Sequence, residues 1–288
     1  MDGTDRSQGG QTQSGTDRTS RHLNVLFITQ NDPFYVLSLF DELLVNYDCG
    51  AIHIVGVVIQ STLGRKKGAL VRQMLAFYGP RDFIRVSFQY VLKTAMSFLA
   101  VTVFRGRFPG IWSIEHLFLR HHVPIVHAPN INDPSFVEWI RRKHIDLVVS
   151  VAASTKFREG LLRAPRFGCI NIHNAKLPRN RGMLPNFWAL YNYDEEPVSG
   201  MTVHKMNASL DDGPIILQDD IVLDPTESLH QLILRTKRLN AHLLLKTMAM
   251  YGDGEPEYLP NDAAMATYNS FPTRADVRAF RAKGLRLL

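Results

Sequence analysis

At 288 residues, 45% of them hydrophobic and 21% charged, the chain can bury a sizeable core, which argues against a disordered or fibrous protein and for one large domain with small appendages. The net charge of +6 is unevenly placed: Arg65, Lys66, Lys67, Arg72, Arg81, Arg85, Lys93, Arg105 and Arg107 face only Asp82 in residues 61–112, so that segment carries +8 and the rest of the chain −2. Charge therefore gives no support to specific nucleic-acid binding. Two cysteines, Cys49 and Cys169, are too few for a disulfide framework or a cysteine metal site and suit a reducing cytoplasm.

Residues 1–21 are rich in Gly, Ser, Thr, Gln and Asp without an apolar run, and they are expected to form a disordered tail rather than a signal peptide or membrane anchor. Asn24 to Gln30 predicts a first strand, Pro33 to Val45 a helix, and Ile52 to Gln60 a second strand. This βαβ opening lacks Gly-x-Gly-x-x-Gly, having Gln30-Asn-Asp-Pro-Phe34 instead, so it carries no dinucleotide fingerprint. Gly68 to Phe104 is helical in pattern, with a break at Gly79-Pro80. Arg85, Gln89, Lys93 and Ser97 form a narrow polar stripe on an otherwise apolar circumference. Lys93 interrupts the apolar part, which falls short of the roughly 20 residues of a span, so no transmembrane segment is expected. Burial against the sheet, or in a homodimer through residues 68–104, is the expectation, with a membrane-surface or lipid-substrate role as its alternative.

Ile114 to His121 predicts a helix, Val123 to Ala128 a strand, Pro134 to His144 a helix and Ile145 to Ala153 a continuous apolar strand. Strands without alternation, separated by helices, predict an α/β, Rossmann-like, mostly parallel sheet covered on both faces. Ile170 and Ile172 mark another buried strand, which ends in a cluster of Asn, Pro, Arg and Gly. On it Asn171 and His173 share a face. Ser199 to Gln218 predicts a strand, a polar turn with Asp211 and Asp212, and a second strand. A long helix then runs from about Ser228 to Tyr251, followed by a polar stretch with a short basic helix near Arg274 to Lys283.

Asn171-x-His173, Leu177-Pro-x-x-Arg-Gly182, Pro185-x-x-Trp-Ala189, Gly200-x-Thr-Val-His204 and Asp211-x-Gly213 occur in order. The pattern resembles the formyltransferases that use 10-formyltetrahydrofolate, whose members act on glycinamide ribonucleotide, methionyl-tRNA and amino sugars. The resemblance is strong over Ile145 to Leu245 and weaker over Asn24 to Gln60, and it implies a catalytic trio of Asn171, His173 and Asp211. By position, it also implies a folate pocket lined by Val151, Ala152, Ala153, Ser154, Thr155 and Lys156. It implies a catalytic domain over 22–223 carrying a basic, apolar helical insertion at 61–112, with 224–288 as a C-terminal helix and tail. The extra β domain of methionyl-tRNA formyltransferases is not expected in the residues after Gln218.

The chemistry implied is attack by a primary amine on the formyl carbon, with Asn171 and an imidazolium at His173 stabilising the oxyanion and Asp211 holding His173 protonated or helping to remove the amine proton. Arg179 and Arg181, with Trp188, are candidate substrate-binding residues, since a guanidinium fork suits a carboxylate or phosphate. No metal is called for: His173 and Asp211 lack an evident third ligand. The expected acceptor is a small-molecule amine, with a nucleotide-linked amino sugar first. Hydrolysis of 10-formyltetrahydrofolate, transfer to methionyl-tRNA and a non-catalytic folate-binding or membrane-associated protein are the alternatives.

Overall fold

The computed structural model describes residues 22–61 and 67–288; the expected tail at 1–21, and Arg65 and Lys66 of the insertion, lie outside the described residues. Six strands form one sheet in the order β2-β1-β3-β4-β6-β7: β1 (Leu23–Gln30), β2 (Ile52–Gln60), β3 (Leu147–Val151), β4 (Cys169–His173), β6 (Val198–Lys205) and β7 (Ile215–Val222). The β1·β2, β1·β3 and β3·β4 pairings are parallel, whereas β4·β6 and β6·β7 are antiparallel. The mostly parallel α/β sheet is thus as expected, with a hairpin added at one edge.

Alternation along β1 shows how the two faces are covered. Val25 and Phe27 join a cluster with residues of α1 (Val36–Asn46), α4 (Ile114–Arg120), α7 (Pro185–Tyr191), α8 (Leu229–Gly252) and α9 (Arg274–Ala282). Leu26 and Ile28 meet α5 (Pro134–Arg142) and α6 (Glu159–Leu162) on the other side, as the two-residue period of a strand requires. Helix α8 starts on a capping box between Ser228 and Gln231, which satisfies otherwise orphaned amides. Its buried Leu232, Ala241 and Leu244 share the core of β1 and β3, so apolar packing runs unbroken across the expected boundary at 223.

Two expectations are corrected. Val123 to Ala128 is not a strand: Val57 N donates to Pro124 O at 2.9 Å and Val126 N to Val57 O at 2.8 Å, leaving one isolated bridge at Ile125. Pro124 has no N–H with which to extend the ladder. The insertion is also only partly buried in its own domain: Phe77 joins the main core and Ala100 is covered, but the long helix between them is not. Helix α2 (Lys67–Tyr78) leads into α3 (Pro80–Phe98), which has no buried residue, and a π-helical turn (Leu99–Val103) continues it.

A small second sheet was not foreseen. β5 (Arg181–Gly182) pairs in parallel with β8 (Tyr268–Asn269), so the polar stretch after α8 doubles back onto the Arg-Gly of the motif.

Candidate active site

A cavity of about 480 Å³ opens beyond the carboxyl ends of β3 and β4, lined by Ala152 to Phe157, Asn171 to Asn174, His204, Asp211 and Lys237 among others. Ligands of open α/β sheets bind at this end of parallel strands. The three residues of the expected trio meet on one wall. β4 ends in Asn171 and His173, and the loop between β6 and β7 brings Asp211 to them.

Each member is held by named partners. His173 Nε2 lies 2.8 Å from Asn180 O; a carbonyl only accepts, so this nitrogen carries the proton, and Nδ1 faces Asp211 Oδ2 at 3.6 Å. Asp211 Oδ2 accepts from the Gly182 amide at 3.0 Å, and its Oδ1 stands 3.7 Å from His204 Nε2. His204 Nδ1, 3.0 Å from Lys205 O, likewise carries a proton, and Nε2 meets Asn171 Nδ2 at 3.3 Å. His204 thus stands between the amide and the carboxylate.

The loop backbone explains the motif spelling. Asp211 has φ +51, a left-handed conformation uncommon outside glycine, and Asn261 Nδ2 steadies it by donating to Asp211 O at 3.0 Å and Gly213 O at 2.9 Å. A Cβ at Gly213 would stand 1.7 Å from Lys205 O, and one at Gly182, φ +98, would stand 2.3 Å from Asn269 O. Both glycines are therefore fixed by close backbone approach.

Electrostatics set the resting protonation. Desolvation would raise the Asp211 pKa, but His204, His173 and the Gly182 amide outweigh it and hold the carboxyl at about 2. Burial pushes the His173 imidazole below the usual histidine range, with Asp211 and the Asn180 carbonyl pulling weakly upward. The resting pair is therefore a carboxylate beside a neutral imidazole, not the imidazolium expected from the sequence. The physical reason is that 3.6 Å of separation leaves the Coulomb attraction smaller than the desolvation of a second charge.

The remaining candidates scatter. Ala152 to Lys156 line the cavity, and Ser154 is pinned through N and Oγ to Gln60 Oε1 at 2.9 and 3.2 Å. Val151 is buried in β3, with its carbonyl taken by Thr29 Oγ1 at 2.8 Å. Arg179 is exposed, pairs with Glu196 at 3.3 Å and borders a separate small recess. Trp188 Nε1 donates to Ser270 O at 3.0 Å. Arg181 is 0% exposed, with bonds to Asp212 at 2.5 Å, Tyr268 Oη at 2.9 Å and Asn261 Oδ1 at 2.8 Å. These bonds turn its fork into the loop, which corrects the substrate-binding reading for Arg181. Cys169 is buried, and burial pushes its thiol up, away from reactivity. Among the described residues no group of three His, Cys, Asp or Glu side chains is placed to hold a metal.

Lys237 was missed. It lies on α8, 7% exposed, lines the cavity and has no hydrogen-bond or ion-pair partner among the described residues. Burial lowers its pKa from 10.5 to about 8, with Asp32 pulling the other way. The signal was in the sequence: Ile233, Lys237 and Ala241 recur every four residues, placing a cation on the buried face of the helix.

A family profile described as formyl transferase matches residues 116–248. The methionyl-tRNA formyltransferase of Agathobacter rectalis is 31% identical over 166 residues, covering 58% of this chain and 53% of that protein. A sugar N-formyltransferase from a Shewanella species aligns in structure with TM-score 0.53 and 18% identity, over 90% of this chain and 87% of that one. Glycinamide ribonucleotide transformylase 1 from Symbiobacterium toebii aligns with TM-score 0.53 and 16% identity, over 83% and 94%. At these identities the structural likeness is one of fold. The chain spans 42–66% of the length of the curated relatives it matches. Profile and relatives point one way: residues 116–248 of this chain form a formyltransferase-family domain.

Proposed function

We propose that this cavity transfers the formyl group of 10-formyltetrahydrofolate to a primary amine of a small metabolite. The observation that carries the reading is the convergence of Asn171, neutral His173 and ionised Asp211 on one wall of a cavity of suitable size. The donor supplies an amide-like carbonyl carbon, for which Ala152 to Lys156 offer a wall. Asn171 offers an N–H to the oxygen on which charge develops. His173 takes the amine's proton at Nδ1, where Asp211 stabilises the resulting imidazolium, while Nε2–H stays on Asn180 and fixes the tautomer. The new C–N bond forms as the bond to N10 breaks, and the proton passes back to N10.

The pH profile tests this assignment. With His173 as a base of lowered pKa, kcat rises through a pH below about 6.5, the ordinary histidine value, and is flat at neutral pH. A profile falling above that value would show that the protonated imidazole is the active form.

Lys237 supports an acceptor that carries an anionic group, such as the phosphates of a nucleotide-linked amino sugar. Lys237→Met is expected to raise KM for such an acceptor by about tenfold or more while leaving kcat within a few-fold. It should also stabilise the fold. A lysine whose folded pKa is lowered from 10.5 to about 8 destabilises at every pH below 8, by roughly 3 kcal/mol, and the penalty fades between pH 8 and 10.5. Denaturant titrations of both proteins at pH 7 and above pH 10 check the sign: the variant's advantage must shrink at the higher pH.

Methionyl-tRNA is the second reading, favoured by the name of the 31% identical relative. Following tetrahydrofolate release with no amine, with a panel of small amines and with charged initiator tRNA separates the cases. Release without amine indicates the hydrolase, and saturable formylation of tRNA at low micromolar concentration overturns the small-molecule reading. We place the reaction in the cytoplasm, in keeping with two free cysteines.

A further inference from the structure

Helix α3 and the π turn after it carry their polarity the wrong way round for a surface facing water. The side toward the body mixes polar and apolar contacts: Asp82 meets Arg281 at 3.4 Å, Lys93 Nζ stands 5.9 Å from the Phe34 ring, Ser97 donates to the Ser113 hydroxyl at 2.7 Å, Tyr90 packs on Phe34 with ring centroids 6.4 Å apart, and Ala100 is buried. Ile84, Phe88, Val91, Leu92, Phe98 and Val103 point away and are 47–69% exposed. At 100° per residue these six fall within one arc, and an apolar arc of that size left in water is rare on soluble proteins.

By length and composition, Pro80–Val103 could cross a bilayer, but its attachments forbid it. Asp82 at one end and Ser97 near the other are both bonded to the same folded body. A crossing helix would put its ends on opposite sides, about 30 Å or more apart. The helix can therefore only lie along a surface. Charge says which kind: Arg81 and Arg85 at the start and Arg105 and Arg107 just past the end are exposed, whereas Asp82, the acid of this segment, is paired with Arg281.

We propose that α3 docks flat on a lipid bilayer bearing anionic headgroups, with the apolar arc sunk into the acyl boundary and the arginines at both ends among the headgroups. A second copy of the chain would meet this surface with the same positive charge, which disfavours a dimer through it.

The test is flotation of the full chain with phosphatidylcholine vesicles, with and without a minority of phosphatidylglycerol. The protein should float with the anionic vesicles at least about tenfold better than with neutral ones, and raised salt should weaken the binding. The double variant Phe88→Glu, Leu92→Glu replaces exposed side chains, so it should keep the wild-type circular dichroism and turnover yet stay with the soluble fraction. Arg81→Gln with Arg85→Gln should float less at low salt and show a flatter salt dependence. A wild-type monomer that fails to float with anionic vesicles overturns the proposal. So does a wild-type dimer that the double glutamate variant dissociates, because the face would then be covered by a second copy.

Discussion

His173→Ala and Asp211→Ala each lower turnover by at least about a hundredfold, while folate binding, read by fluorescence or calorimetry, survives within about tenfold. In the mechanism proposed, both residues act on charge that appears during the reaction, so their removal should fall on kcat rather than on ground-state binding. Asp211→Asn is the sharper variant. It keeps the acceptor from the Gly182 amide and removes only the charge, so an equal loss of rate in a normally folded protein would assign the effect to electrostatics. Because Asp211 has a folded pKa of about 2, below the unfolded value of about 3.9, it also contributes stability. That contribution is present above pH 4 and is lost as pH falls through 2. The double variant His173→Ala, Asp211→Ala should be little worse than either single one, as for groups that act as a unit. Near wild-type turnover in either single variant, with an authentic acceptor, would sink the assignment.

Arg181→Ala is expected to cost about 2–3 kcal/mol of folding stability, because the buried guanidinium is lost from its network while Asp212, 31% exposed, can return to water. The guanidinium ties Asp212, Tyr268 and Asn261 together, and Asn261 in turn holds the carbonyls of Asp211 and Gly213. The loss should therefore appear first in denaturant midpoints and only secondarily in rate. Lysine cannot present the fork these three partners require, so Arg181→Lys should recover less than half of the loss. A fully stable Arg181→Ala whose KM alone rises would return this residue to the substrate. Asp212→Asn should resemble a mild Arg181 variant, losing stability more than turnover.

The fold was legible where periodicity is strong. The unbroken apolar runs of β1, β2 and β3 declared a covered parallel sheet, and the ordered motif placed Asn171 and His173 at a strand end and Asp211 in a turn. Three things were hidden, each for a physical reason. Pro124 stops a run that otherwise reads as a strand, because the missing amide matters only once a partner is in place. Lys237 is one cation in a helix whose apolar spacing dominates the pattern, and its isolation depends on what packs around it. The outward apolar face of α3 could not be foreseen because periodicity measures how residues divide around a helix, not which side the body takes. The two arginines of this loop show the same limit: Arg181 holds a fixed place in the motif and Arg179 a variable one, yet nothing in the spacing says that Arg179 lies in solvent and Arg181 is 0% exposed.

The pairing of β5 with β8 has a consequence for the order in which the protein is made. Arg181 and Gly182 lean on Tyr268 and Asn269, 87 residues later, and the Gly182 amide is the one that Asp211 accepts. A ribosome that has completed the sheet and most of α8 has not yet supplied Asn261, Tyr268 or Asn269. The motif loop of such a nascent chain lacks its clasp, and the carboxylate lacks the buttress that keeps its backbone left-handed. Catalytic competence should therefore arrive late and abruptly during synthesis, after the sheet is complete and together with late core residues, among them Val277 and Phe280 of α9.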